Sequence, residues 1–433
     1  MKVEPAALLK GAFAVPGVKG ISQRAVLLAA LADGESRVTG FGRAADTESA
    51  IAVARAIGAD VVDAGPEEVR VHGVGLRNAR PPGEPIDCGN AGTVMRLACG
   101  LLAGQHGAFE LVGDESLTAR PHERVAEPLR LMGARIETTE GHAPIRITGS
   151  ALHPVTYELP VASAQVKSAI LIAGLFADDG PTTVVELYPS RDHTERLFES
   201  LGIRIARTHH SVGVWPVERL DPFELEIPGE FSSAAPFIAA AVLLSGSELV
   251  IQGVNVNPLR AGLLDVLGRM GARIAVFNRR TVGGEAVADL EVRATPLVAT
   301  SVEREEIPRL VDELPLVALL GAFAHGTTRV TGAEELRAKE TDRIETVTQA
   351  LRAVGVHIRA LPDGFEVRGV PARPRGGTVD AAGDHRIAML GAIAGTASRE
   401  GVRIIGPECA AISFPGFYDL LADLVQTGDI EAL

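Results

Sequence analysis

At 433 residues the chain is too long for one ordinary hydrophobic core, so two domains of about 200 residues each are expected. Its 46% apolar and 22% charged residues call for a folded protein, and its net charge of −13 excludes the basic stripe that a nucleic-acid surface needs. The three cysteines, Cys88, Cys99 and Cys409, are odd in number and lack metal-ligand spacing, which excludes a disulfide scaffold and fits a reducing cytoplasm.

Residues 1–30 carry Lys2, Glu4, Lys10, Lys19 and Arg24 without an uninterrupted apolar stretch, so no signal peptide is expected there. The longest apolar run, 237–244, is far too short for a membrane span.

From residue 25 onward the chain repeats itself. An apolar helix-like run, a break with glycine and a β-branched strand recur at 25–40, 97–113, 169–186, 237–253, 317–332 and 388–406. The central glycines, Gly34, Gly107, Gly180, Gly246, Gly326 and Gly401, follow one another at intervals of 66 to 80 residues. Each unit holds a second signature, an amphipathic helix closed by glycine and followed by a strand, at 54–61, 129–136, 198–205, 267–274 and 351–358. Gly58, Gly133, Gly202, Gly271 and Gly355 occupy the position after a helix where a left-handed conformation is needed. A sixth copy at 417–425 is degraded.

Each unit thus reads helix, strand, loop, helix, strand, and six units divide into two domains of three. The stretch Ile227-Pro228-Gly229 is the expected crossing, and the first 16 residues are placed to lend a strand to the second domain. Two crossing segments would make a hinge.

The loops between repeats hold residues that the repeat does not require. In chain order, 15–24 is a glycine-bearing turn before a helix with Lys19 and Arg24 at its mouth, which suits either an anion at a helix N-terminus or two plain surface cations. At 87–96, Gly92 would let a ligand approach the backbone, and Asn90 or Thr93 equally suits a helix cap. Arg120 precedes a proline at a helix entry, as a surface arginine would. Ser163 and Gln165 head a long apolar helix, as donors to a bound oxygen or as a simple cap. Arg191 and His193 lie near another helix start, without a second ligand at metal spacing.

Asp312 and Glu313 stand at the edge of an apolar run, fit for a base or for a cap. In 333–344, read as helical, Lys339 and Arg343 share a face and repel each other unless an anion lies between them, with Glu340 alongside to move a proton. The alternative is a solvated face with an ordinary Glu335–Lys339 pair. Arg386 opens the last apolar helix. Seven of these helix starts put Arg, Lys, Ser, Gln or Asn at one edge, and in an acidic chain they predict one cationic cleft between the domains, suited to small, multiply anionic substrates.

These stretches, in order, are Pro-Gly-Val-Lys-Gly-Ile-Ser-Gln-Arg, Gly-Asn-Ala-Gly-Thr-Val-Met-Arg, Ser-Ala-Gln-Val-Lys-Ser, Ser-Arg-Asp-His-Thr-Glu, Asp-Glu-Leu-Pro, Glu-Glu-Leu-Arg-Ala-Lys-Glu-Thr-Asp-Arg and Gly-Asp-His-Arg-Ile-Ala-Met. From about residue 15 to 417 they resemble the EPSP synthase (3-phosphoshikimate 1-carboxyvinyltransferase) family, in its bacterial subgroup with a Ser-Ala-Gln motif.

The resemblance implies an α/β enolpyruvyl transferase fold: two inside-out α/β domains, each of three βαβαββ repeats, at 17–229 and at 1–16 with 230–433, closing over the active site. It implies transfer of the enolpyruvyl group of phosphoenolpyruvate to the 5-hydroxyl of shikimate 3-phosphate, with no metal and no redox cofactor. In this chain it assigns Lys19 to bridge both substrates. Asn90, Gly92, Arg120, Arg343 and Arg386 fall to phosphoenolpyruvate, with Gln165 between the two ligands. Arg24, Ser163, Arg191 and Lys339 fall to shikimate 3-phosphate. Asp312 becomes the base for the 5-hydroxyl and Glu340 the acid towards the methylene of phosphoenolpyruvate.

Two positions depart from the family pattern. Gly20 stands where a serine is usual, removing one hydroxyl contact to shikimate 3-phosphate, with Ser22 or water as candidate replacements. Ile412 precedes Ser413-Phe414-Pro415 where some members have lysine. Gly92, lacking the methyl of tolerant members, implies sensitivity to glyphosate. The sister family acting on UDP-N-acetylglucosamine carries a cysteine on the loop that here runs 113–120, where this chain has none. A non-catalytic anion-binding relative is the remaining alternative. A cytoplasmic monomer without nucleic-acid or membrane partners is expected.

Overall fold

A computed structural model describes residues 1–178 and 180–426. The last seven residues of the expected second domain lie outside the described residues. The chain divides into two compact units. Among the described residues, the N-terminal unit holds 16–228 and 281–285, and the C-terminal unit holds 1–15, 229–280 and 286–426.

In the N-terminal unit three helices are apolar almost all round, Lys19–Ala29, Gly92–Ala103 and Ala164–Gly174, and nearly every residue in them is buried. A helix without a polar face finds no place at a surface, so these three form the core. Their packing is close: a Cβ on Gly100 would stand 2.1 Å from the carbonyl oxygen of Ala169, so only glycine lets the second and third helices meet there.

Three four-stranded sheets enclose them. In the second sheet, Ile86–Asp87 runs parallel to Ala108–Val112, which pairs antiparallel with His142–Thr148, and that strand closes a hairpin with Arg135–Thr139. The third sheet repeats this order with Thr156–Glu158, Thr182–Val185, Ser211–Val214 and Ile205–Arg207. In the first sheet the leading strand comes from the far end of the unit: Glu224–Glu226 runs parallel to Glu35–Thr39.

The C-terminal unit is built alike around Phe231–Leu243, Leu314–Phe323 and His385–Thr396. Its first leading strand, Leu8–Ala14, runs parallel to Glu248–Asn255 with Lys10 opposite Glu248 and Phe13 opposite Ile251. Lys2–Val3 joins Val402–Ile405 and Gly377–Asp380 in a three-stranded sheet. Each unit is therefore a set of βαβαββ repeats whose helices lie inside and whose sheets lie outside.

The repeat read from hydrophobic patterning lacked the leading strand and the second hairpin strand. The leading strands are as short as two residues, too short to show alternation. The five glycines that close the amphipathic helices all have positive φ, from 75° at Gly202 to 102° at Gly58.

Segment 333–344 corrects the expectation of one helix. Glu334–Ala338 is a 3₁₀ turn, Lys339 is extended, and the α-helix begins at Arg343 with Asp342 as its cap. The Asp342 carboxylate accepts from the Glu345 amide, and this early cap stops the helix from continuing back through Lys339. Lys339 and Arg343 do not share a helix face.

Candidate active site

In the N-terminal unit the three buried helices begin close to the residues singled out in the sequence. Lys19 is the first residue of its helix, and its ammonium lies 2.7 Å from Oδ2 of Asp46. Arg24, one turn further on, is buried and not at the mouth of the helix. Its guanidinium donates to Thr194 Oγ1 (2.7 Å), Ser168 Oγ (2.9 Å) and the carbonyl of Gly20 (2.8 Å). All three partners are neutral. Burial pushes Arg24 down to about 10, with the charges of Glu195 and Glu285 opposing this and Arg191 adding repulsion, so the group stays charged at neutral pH without a carboxylate hydrogen-bonded to it.

Ser22 donates to the Val18 carbonyl and accepts from the Gly42 amide, so its hydroxyl proton is already used within the helix. Ser163 caps Ala164–Gly174, accepting from the Val166 amide.

The second helix start gathers Asn90, Gly92, Arg120 and Gln165. Asn90 is not a helix cap: its amide donates to Asp114 (2.7 Å) and its oxygen accepts from Arg120 (2.6 Å). Gln165 bridges Thr93, to which it donates at 2.8 Å, and Arg96, from which it accepts.

Arg96 was not singled out from the sequence, although a charged residue in an otherwise apolar helix is a usable signal. Burial, then Arg124 and Arg120, push it down to about 9, and its Nε has no hydrogen-bond partner. A cation destabilised by burial and like charges gains from a bound anion. Gly92 faces this pair directly, since a Cβ there would stand 3.1 Å from Nη1 of Arg96 and 3.2 Å from Nη1 of Arg120.

Lys167 takes no part in this cluster. It is buried between Glu186 (2.7 Å) and Glu195 (2.8 Å) and acts as a structural ion pair beneath the helix.

In the C-terminal unit Arg343 is the hub, and it is buried, not a solvated residue. It donates to both oxygens of Asp384 (2.8 and 3.2 Å), to Glu340 Oε2 (2.6 Å) and to Asp312 Oδ1 (3.4 Å). Burial opposes its charge, but Glu340, Asp384 and Asp312 outweigh that and raise it. Asp384 caps the helix His385–Thr396, accepting from the backbone amide of Arg386, whose guanidinium donates to the Ser232 carbonyl.

Glu313 occupies the N-cap position of the following helix, Leu314–Phe323, but its side chain makes no cap hydrogen bond there. Glu313 is fully buried on Arg260, and the other oxygen of Asp312, Oδ2, lies 3.6 Å from the same arginine. Arg260 gave no signal in the sequence. Lys339, just past the 3₁₀ turn that holds Glu335, is paired with that carboxylate as in the plainer reading.

Each cluster has a distinct chemistry. The N-terminal one offers guanidinium and ammonium groups with amide donors, a set that holds anionic oxygens. The C-terminal one sets two partly exposed carboxylates on one buried arginine, a set that moves protons beside an anion. Among the described residues no group of His, Cys, Asp and Glu could hold a metal ion.

Comparison with known proteins bears on the chain as a whole. The family pattern described as EPSP synthase (3-phosphoshikimate 1-carboxyvinyltransferase) matches residues 3–421. The 3-phosphoshikimate 1-carboxyvinyltransferase of Alkalilimnicola ehrlichii is 46% identical over 99% of this chain and 97% of its own. That of Gloeobacter violaceus is 46% identical over 98% of each. The solved EPSP synthase of Acinetobacter baumannii superposes with a TM-score of 0.90 at 37% identity, covering 98% of each chain. The enolpyruvyl transferase NikO of Streptomyces tendae, at 21% identity and a TM-score of 0.77, shares the fold. Likeness of this extent, sustained from one end of the chain to the other in sequence and in fold, makes it a member of the EPSP synthase (3-phosphoshikimate 1-carboxyvinyltransferase) family.

Proposed function

We propose that the chain transfers the enolpyruvyl group of phosphoenolpyruvate to the 5-hydroxyl of shikimate 3-phosphate, releasing phosphate, and that the two clusters serve this one reaction. Relatives of this name, 46% identical over almost the whole chain, support the activity.

The reaction is an addition followed by an elimination. The 5-hydroxyl oxygen attacks C2 of phosphoenolpyruvate while C3 gains a proton. The C2–O bond to phosphate then breaks as a proton leaves the new methyl group, restoring the double bond. Two carboxyl groups in different protonation states are needed.

The observation that carries the assignment is that Asp312 and Glu340 both lie on Arg343, at 3.4 and 2.6 Å, and both keep some exposure in an otherwise buried network. Asp312 takes the hydroxyl proton, and Glu340 delivers the proton to C3. Arg343, Arg386, Arg120, Asn90 and Gly92 hold phosphoenolpyruvate, and the arginines stabilise the departing phosphate. Arg24, Ser163, Arg191 and Lys339 hold shikimate 3-phosphate. Lys19 and Gln165 contact both ligands.

The enzyme is read as a cytoplasmic monomer. No helix among the described residues is long and apolar enough to cross a membrane, and light scattering on the purified chain tests the monomer.

The test of function is phosphate release from phosphoenolpyruvate with shikimate 3-phosphate and, separately, UDP-N-acetylglucosamine as acceptor. Release with the first only, abolished in Asp312→Ala and Glu340→Ala, is the expected result. Release with the second alone would overturn the reading.

A further inference from the structure

Arg260 stands outside every motif that the sequence singled out. It lies in the loop between the strand Glu248–Asn255 and the helix Gly262–Arg269, and that loop is stiff. The side chain of Asn255 accepts from the Asn257 amide, that of Asn257 accepts from the Leu259 amide, and the Asn257 carbonyl accepts from the amides of Arg260 and Ala261. Both asparagines are fully buried, so the loop is held by internal turns and not by solvent.

The guanidinium is held on several sides. Nη1 donates to both oxygens of Glu313 (3.2 and 3.0 Å), while Nη2 donates to Glu230 Oε1 (3.3 Å) and to the hydroxyl of Ser232, which in turn donates to Glu313. Nη2 also lies 3.6 Å from Asp312 Oδ2. Arg343 stands 3.4 Å from the other oxygen, Oδ1.

The Asp312 carboxylate thus has a different buried guanidinium facing each oxygen, and a planar group set between two fixed forks has a fixed plane. Glu313, 0% exposed, anchors Arg260, whereas Asp312, 18% exposed, is the accessible end of the network. We propose that Arg260 is a positioning residue for the reaction: through Glu313 and Ser232 it is locked in place, and from there it orients the Asp312 carboxylate and favours its ionised form. This rests on the reading of Asp312 as the base.

The other charged groups in this network are Glu230, Glu313, Glu340, Arg343, Asp384 and Arg386. Asp384 and Glu340 are engaged by Arg343, and Arg260 is a further cation facing Asp312. Removing that charge leaves Asp312 protonated to higher pH, because an opposite charge at this range favours the ionised carboxylate.

The test compares Arg260→Gln and Arg260→Lys, each alone and with Asp312→Asn, by phosphate release across pH. Arg260→Gln is expected to lower kcat by about 10- to 100-fold, to change both KM values by less than about threefold, and to move the acid limb of kcat up by about one pH unit. Arg260→Lys restores the acid limb, because it keeps the charge, but only part of kcat, because it lacks the fork. In the Asp312→Asn background Arg260→Gln adds nothing.

Should Arg260→Gln fail to fold with Glu313 left uncompensated, Arg260→Gln with Glu313→Gln carries the same test, with Glu313→Gln as its reference. An unmoved acid limb, or an equal loss in both backgrounds, would overturn the proposal while leaving Asp312 as the base. Full turnover in Asp312→Asn alone would remove the base assignment and the proposal with it.

Discussion

Arg343 grips Asp384 through both carboxylate oxygens, and Asp384 is also the cap of the helix that carries Arg386, so one buried pair fixes two of the arginines assigned to phosphoenolpyruvate. Asp384→Ala would leave the buried Arg343 with less compensation and the helix uncapped. It is expected to cost roughly 3–5 kcal/mol of stability, read as a loss in chemical denaturation. Asp384→Asn keeps a cap and an acceptor, so it should fold while raising the KM for phosphoenolpyruvate about tenfold. An unchanged KM in Asp384→Asn would separate the pair from substrate binding.

A methyl group at Gly92 would press on two guanidinium groups, at 3.1 Å from Arg96 and 3.2 Å from Arg120, with Leu117 Cδ1 at 3.4 Å on a third side. The side chains must give by a few tenths of an ångström, and both are assigned to or adjoin the phosphoenolpyruvate side. Gly92→Ala is therefore expected to leave the fold intact and to raise the KM for phosphoenolpyruvate by about 10-fold, with a larger rise in the inhibition constant for glyphosate. Steady-state kinetics with and without glyphosate measure both. Wild-type activity that persists far above the phosphoenolpyruvate requirement would contradict the expected sensitivity.

Gly20 presents the opposite case. A Cβ there meets only Arg24 Nη1, at 3.4 Å, an ordinary contact, and Gly20 has no left-handed φ to lose. Gly20→Ser should thus fold normally, restoring a hydroxyl at the mouth of the helix that Lys19 begins. The expected effect is a KM for shikimate 3-phosphate several-fold lower, worth about 1 kcal/mol for one hydrogen bond, with kcat little changed. A rise in that KM would show that the glycine is itself adapted to the ligand.

His122 gives a stability prediction. Its ring is buried, Nε2 donates to the Leu117 carbonyl at 3.0 Å, and Nδ1 has no partner. Burial pushes it from 6.5 down to about 4. Below 6.5 the unfolded chain binds a proton that the folded one does not, so stability falls as pH falls from 6.5 to about 4. His122→Gln lacks this titration. The stability difference between wild type and His122→Gln, from urea unfolding, should shift against wild type by about 2–3 kcal/mol between about pH 7.5 and pH 4.5. A constant difference would mean that the ring titrates normally.

Much of this molecule was legible in its sequence, and the reason differs from one feature to the next. The six apolar helices and the glycines that end their amphipathic companions appeared because helical periodicity and left-handed caps are local demands, met within a few residues. The motif order, set beside a known family, carried the fold and the activity. Two local readings of the motifs failed: Arg24 and Arg343 were compatible with exposed helix cations, yet both are buried and hydrogen-bonded within the protein. Their burial depends on Ser168 and Thr194, or on Asp384, which come from distant repeats.

What the sequence determined by itself was therefore the repeat, the helix ends and the residue types suited to an anion, since each follows from local chain geometry or from an ordered motif. What only the tertiary structure decided was pairing. Arg96 meets Gln165, Arg260 meets Asp312, and the leading strands Leu8–Ala14 and Glu224–Glu226 close their sheets across more than a hundred residues of chain. Pairings of this kind are set by packing of the buried helices against one another, and a buried charge reveals its partner only once that packing has removed water from both.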